Sequence, residues 1–183
     1  MKKIVLVVAI MALLCTAAFA DHPEGVGLGG VTNLSVGNYG VVSFNPSFGL
    51  SLKVGPLPLF WGFFGTFIPG HGNGIGVTGD YYIFDNWNLV DKTATNEDGD
   101  YDVKIDWYLG VGFFANTHFW HKNVRADLGV RIPWGVSWHA MEQLEVSVGI
   151  APGFGVFFGE NVKTSFHYKI PLEISCRYWF GVN

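Results

Sequence analysis

The chain has 183 residues, a formal net charge of −4, 14% charged residues and 16% aromatics. The acidic balance excludes the basic stripe that nucleic acid requires. The charged fraction falls well short of the roughly 25% of ordinary soluble domains.

The first element is a leader. Lys2 and Lys3 form a charged start, Ile4 to Leu14 an apolar run, and Ala18-Phe19-Ala20 a small-x-small cleavage pattern with Asp21 as the new N-terminus. The apolar run is too short to span a bilayer as a retained anchor. A second reading is a lipoprotein signal acylated at Cys15, but Leu14 occupies a position that wants a small residue. Cleavage after Ala20 makes 1–20 a secretory signal peptide and leaves 21–183 as one domain. That domain contains one cysteine, Cys176, so it has no intramolecular disulfide.

No later segment can form a membrane-spanning helix. The greasiest stretch, 57–68, is interrupted by Pro58, Gly62 and Gly65 and reads as a strand. Eight segments alternate apolar with small or polar residues: about 24–35, 40–54, 57–68, 74–88, 102–117, 122–138, 143–158 and 163–180. Along the sixth, Val124, Ala126, Leu128, Val130, Ile132, Trp134, Val136 and Trp138 share one face. Arg125, Asp127, Gly129, Arg131, Pro133, Gly135 and Ser137 share the other. Turn chemistry separates the segments: Gly55-Pro56, the glycine-rich 69–74, an acidic connection over 91–100, and short turns at 139–143 and 159–162.

This pattern predicts an all-β fold, an eight-stranded antiparallel up-and-down transmembrane β-barrel. A lipocalin-type barrel alternates too, with its apolar face inward. Here the polar faces are rich in Gly and Ser, which suit a narrow filled interior, and aromatics sit near the ends of the apolar faces. Trp107, Trp138, Tyr178 and Phe180 mark one rim; Phe113, Phe154, Phe158 and Phe166 mark the other. With both termini periplasmic, 36–40, 69–73, 118–121 and 159–162 face outside. Then 55–56, 89–101 and 139–142 face the periplasm, which puts the longest connection on the side where turns are usually short.

Several motifs carry a resemblance: Gly79-Asp-Tyr-Tyr-Ile-Phe84, Trp107-Tyr-Leu-Gly-Val-Gly112, Gly129-Val-Arg-Ile-Pro-Trp-Gly-Val-Ser-Trp138, Leu144-Glu-Val146, Ala151-Pro-Gly153 and the closing Cys176-Arg-Tyr-Trp-Phe180. In this order, over about the last hundred residues, the chain resembles small outer-membrane barrels of the OmpA/OmpX type. It is most similar to a bacterial outer-membrane β-barrel family with no assigned function. The resemblance implies a Gram-negative-type envelope, the cell outer membrane as location, its lipid as surroundings, and insertion by the barrel-assembly machinery, which reads an aromatic last strand. It implies no catalytic residue and no cofactor.

The chemistry to be expected is that of the inward face. Asp80, Asp106, Asp127, Glu145 and Glu173 oppose Lys53, Arg125, Arg131, Lys169 and Arg177. Unpaired charge is expensive in a narrow interior and paired charge is tolerated, so these ten predict a salt-bridged, closed lumen. Arg131 is expected to meet Glu145 or Glu173 on neighbouring strands. The alternative is a porin-like small-solute channel lined by the same groups.

A lipid-modifying enzyme would use Ser137 and His139 with Glu142 or Glu145. In the predicted topology these lie at the periplasmic rim, away from lipid A in the outer leaflet, so no enzyme is expected. His71, His118 and His121 lack a nearby cysteine or carboxylate and read as loop residues instead of metal ligands. Glu97, Asp98, Asp100 and Asp102 lack calcium-loop spacing. Gly25-Val-Gly-Leu-Gly-Gly30 sits on a strand with no helix after it, which excludes a dinucleotide loop. The loop residues His118, Phe119, Trp120 and His121 are the expected contact for an extracellular ligand, against a plain role in the aromatic girdle. The sequence thus predicts a structural or interaction barrel.

Overall fold

The computed structural model describes residues 25–38, 42–55, 57–68, 72–96, 99–120, 123–141, 143–159 and 162–181. The expected leader, with Cys15 and the expected cleavage site, lies outside them. Among the described residues ten strands follow in chain order: β1 Val26–Asn38, β2 Val42–Val54, β3 Leu59–Ile68, β4 Gly72–Asn96, β5 Gly99–Trp120, β6 Asn123–Arg131, β7 Trp134–Met141, β8 Leu144–Ile150, β9 Gly153–Gly159 and β10 Val162–Phe180.

Every pairing is antiparallel. β1 to β5 pair in succession. The far edge of β5 is shared by β6 and β7. These pair with β9 and β8 respectively, and both of those pair with β10. β10 returns to β1 over Val26↔Phe180 to Gly37↔Lys169. Since β6 with β7, and β8 with β9, each continue one line, the sheet closes into a ring of eight strands.

Two of the eight expected segments are therefore split. The breaks fall at Ile132-Pro133 and Ala151-Pro152. A proline cannot donate to a ladder, but its carbonyl still accepts. Ile132 N–H donates to Pro152 O at 2.9 Å and Ala151 N–H to Pro171 O at 3.0 Å. Three prolines thus form a seam across neighbouring strands, with Pro133 and Pro171 fully buried inside the ring.

A larger correction concerns the acidic connection expected over 91–100, within the periplasmic turn expected at 89–101. β4 and β5 continue as a two-stranded ribbon, paired down to Asn96↔Gly99. Threonines 93 and 95 favour a strand, and Asp91 stands opposite Lys104, a favourable cross-strand pair. The ribbon leaves the ring at the end that carries Gly25 and Gly181. It begins with three register irregularities on β4, between Tyr82 and Phe84, Phe84 and Trp87, and Asn88 and Val90. Each extra residue is a bulge that turns the following side chains.

Burial runs opposite to that of a water-soluble domain. On β6 and β7 the apolar positions are open, with Val130 64% and Trp134 54% exposed. The charged positions between them are closed, with Asp127 at 0% and Arg131 at 2%. Interior apolar packing among buried residues is small, centred on Phe60, Tyr82 and Tyr108, whose rings stack in sequence. Glycines make room for this stack. A methyl group on Gly135 would stand 2.5 Å from the Tyr108 hydroxyl, and one on Gly149 would be closer still.

Candidate functional site: a charged interior

Inward-facing ionisable groups come from β2, β4, β5, β6, β7, β8 and β10, and the ring brings them together in three tiers. Nearest the termini, Lys53 on β2 reaches Asp85 on β4, Nζ to Oδ2 at 2.8 Å. Its ammonium also lies over the rings of Tyr82 and Trp179. Beside it Arg177 on β10 forms a forked ion pair with Glu145 on β8, whose strands are directly in register there. Trp179 Nε1 donates to the same carboxylate at 2.9 Å. Asp106, fully buried, stands 3.6 Å from His139 Nε2.

The middle tier is built on Arg131. Its Nε and Nη2 donate to the two oxygens of Asp80 at 2.8 and 2.7 Å. Its Nη1 and Nη2 donate to Glu173 at 2.7 and 2.8 Å. Asn33 Nδ2 adds a bond to Glu173 at 3.0 Å. One guanidinium therefore ties β4, β6 and β10 together across the interior, and both of its edges are filled. A planar fork is the group suited to two bidentate carboxylates.

At the far end Asp127 on β6 is the hub. Asn116 Nδ2 donates to it at 2.8 Å, His167 Nε2 lies 2.9 Å away and Lys169 Nζ 3.5 Å away. The Lys169 ammonium rests on the Phe114 ring, 3.3 Å from its centroid. Arg125 lies over the Phe157 ring at 5.9 Å and is the one member of the ten expected charges with neither burial of this order nor a place in the central ties.

Of the two partners expected for Arg131, the structure joins it to Glu173; Glu145 is taken by Arg177 instead. Five participants were not singled out in the sequence: Asp85, Trp179, His167, Asn33 and Asn116. His167 and Trp179 do sit on the inward phase of the last strand, so alternation carries the signal for them. Asp85 sits on the outward phase of β4 by strict alternation, and the bulge between Tyr82 and Phe84 brings it inside.

The expected contact loop also changes character. β5 runs to Trp120, with His118 opposite Arg125 and Phe119 opposite Val124. The ladder simply continues through residues taken for a loop. His118 turns inward, against the space above Arg131, while Phe119 is exposed. The side chain of Trp120 and all of His121 and His71 lie outside the described residues. Among the described residues no three His, Cys, Asp or Glu side chains converge as a metal site would need. Ser137 is buried inside the ring, and His139 lies beside Asp106.

No protein-family profile matches this chain, and no curated protein matches it in sequence. In structure it is similar to the crystal structure of Neisserial surface protein A (NspA). The TM-score is 0.50 at 13% sequence identity, over 87% of this chain and 100% of that one. At this identity the likeness concerns the fold, and it falls on an antiparallel ring with an apolar outer face and a charged interior.

Proposed function

We propose that this chain is an outer-membrane β-barrel that serves as a structural and interaction protein of the cell surface, with an interior closed to solute flow. The observation that carries the closed reading is the double fork of Arg131 on Asp80 and Glu173, which bridges three strands through the middle of the ring. Opening a path there requires separating a buried guanidinium from two carboxylates, which leaves uncompensated charge in the interior.

Placement in the outer membrane is supported by the inverted burial. A continuous outer face of Val, Leu, Ile, Phe and Trp is stable against lipid and costly against water. The similarity to a Neisserial surface protein is in keeping with this. Kinship with the OmpA/OmpX type rests on the sequence motifs alone, as do the secretory leader and assembly by the barrel-assembly machinery. The non-enzymatic reading draws on the direction of Ser137, into the ring, whereas a lipid substrate would lie against the outer face.

Planar-bilayer conductance of the purified protein tests the closed reading, with its native state first verified by a heat-dependent gel shift. The expected result is no unitary conductance. Reproducible steps that change with Arg131→Gln would establish a small-solute channel in its place.

A further inference from the structure

Between Arg131 and the strand ends at His118 lies a cavity of about 40 Å³, room for two or three waters or one small ion. Arg131 and Lys169 are its charged walls, and among the described residues no Asp or Glu lines it. Ser35, Ser47, Thr66 and Thr78 add hydroxyls. Ser35 and Thr78 are more than nine-tenths buried, and their hydroxyl oxygens have no hydrogen-bond partner. Buried polar groups are rarely left so. The amide nitrogens of Asn33 and Asn116 are already given to Glu173 and Asp127.

Lys169 supplies the second, independent observation. The other strongly buried cations meet a carboxylate directly, Lys53 at 2.8 Å and Arg131 at 2.7 Å. Lys169 stands 3.5 Å from Asp127 Oδ2, the oxygen that also accepts from Asn116 Nδ2. Its carboxylate contact is the longest of the three, and it faces a space walled by hydroxyls that can rotate to donate.

We infer that this cavity binds a single small inorganic anion of halide size, held by the Lys169 ammonium and the hydroxyls of Ser35 and Thr78. The oxygens of Asp80 and Glu173 are engaged by the Arg131 fork. The anion completes the hydrogen bonding of the two orphaned hydroxyls and gives Lys169 a second anionic partner beside Asp127. The inference depends on the interior alone and stands whether or not the proposed location does.

The test is anomalous diffraction at the bromine edge on crystals of the purified protein grown in sodium bromide. The expected result is one bromide peak in this cavity, within hydrogen-bond reach of Lys169 Nζ. It should vanish in Lys169→Met and lose occupancy in Thr78→Val, which keeps the charge and serves if Lys169→Met does not fold. Three results overturn the inference: water density with no anomalous signal in the cavity, bromide only on the outer surface, or a peak of unchanged height in Thr78→Val and Lys169→Met.

Discussion

Lys53 Nζ stands 2.8 Å from Asp85 Oδ2, with both side chains 1% exposed, although strict alternation along β4 sends Asp85 to the outer face. Three bulges between Tyr82 and Val90 reset the phase of the strand. The first of them, between Tyr82 and Phe84, precedes Asp85 and brings it to the inner face, so the pair depends on it. Lys53→Met takes the paired cation away from a buried carboxylate and should cost about 3–5 kcal/mol. The double change Lys53→Met with Asp85→Leu should recover most of that loss. Urea unfolding followed by tryptophan fluorescence measures both, and equal losses in the single and double variants would show that the pair contributes nothing.

This pair also marks the limit of what the sequence made legible. Where alternation is regular, as from Val124 to Ser137, inward and outward residues follow from parity, and Asp127 and Arg131 are found where parity puts them. Where the register slips, parity fails. Asp85 was missed for that reason, and 91–100 read as a solvated connection because its charges hide strand pairing that depends on Asp91 facing Lys104. The splits at Pro133 and Pro152 were visible as residues, but their effect on the ladder was not. The tiers of the interior were legible as a set of charges; which carboxylate meets which cation depends on register between strands, which no single strand carries.

Gly149 should not tolerate a larger residue. A β-carbon there would collide with the Tyr108 hydroxyl and the Trp134 carbonyl. Gly149→Val should destabilise the fold by about 1–3 kcal/mol through overpacking, visible as a lower temperature for the heat-dependent gel shift. Gly30, which has open space around it, should accept alanine with no change, and similar losses at both positions would refute the packing argument.

The outer face should reject charge. Val130 is 64% exposed near the middle of its strand line, and Val130→Arg should cost about 2–4 kcal/mol if lipid covers it. Folding into vesicles monitored by gel shift gives the number. A change within about 0.5 kcal/mol, as for an ordinary water-facing site, would contradict a lipid-facing wall.

Phe119 and Trp120 separate anchoring from recognition. Phe119 is an exposed member of a strand, so replacing both with Ser should slow insertion into vesicles, as loss of an interfacial aromatic would. Unchanged insertion with lost binding to a cell-surface ligand would instead identify them as contact residues.

Cys176 offers the most direct measurement of the central claim, because it is exposed on the outer face of β10, among residues such as Ile174 and Tyr178 that are also exposed. A nitroxide attached to Cys176 in the purified protein, reconstituted in bilayers, can be read by electron paramagnetic resonance for collision with oxygen, which concentrates in lipid, and with a water-soluble nickel chelate. The outer-membrane barrel predicts strong broadening by oxygen and little by the chelate. Strong broadening by the chelate would place this face in water and contradict the account.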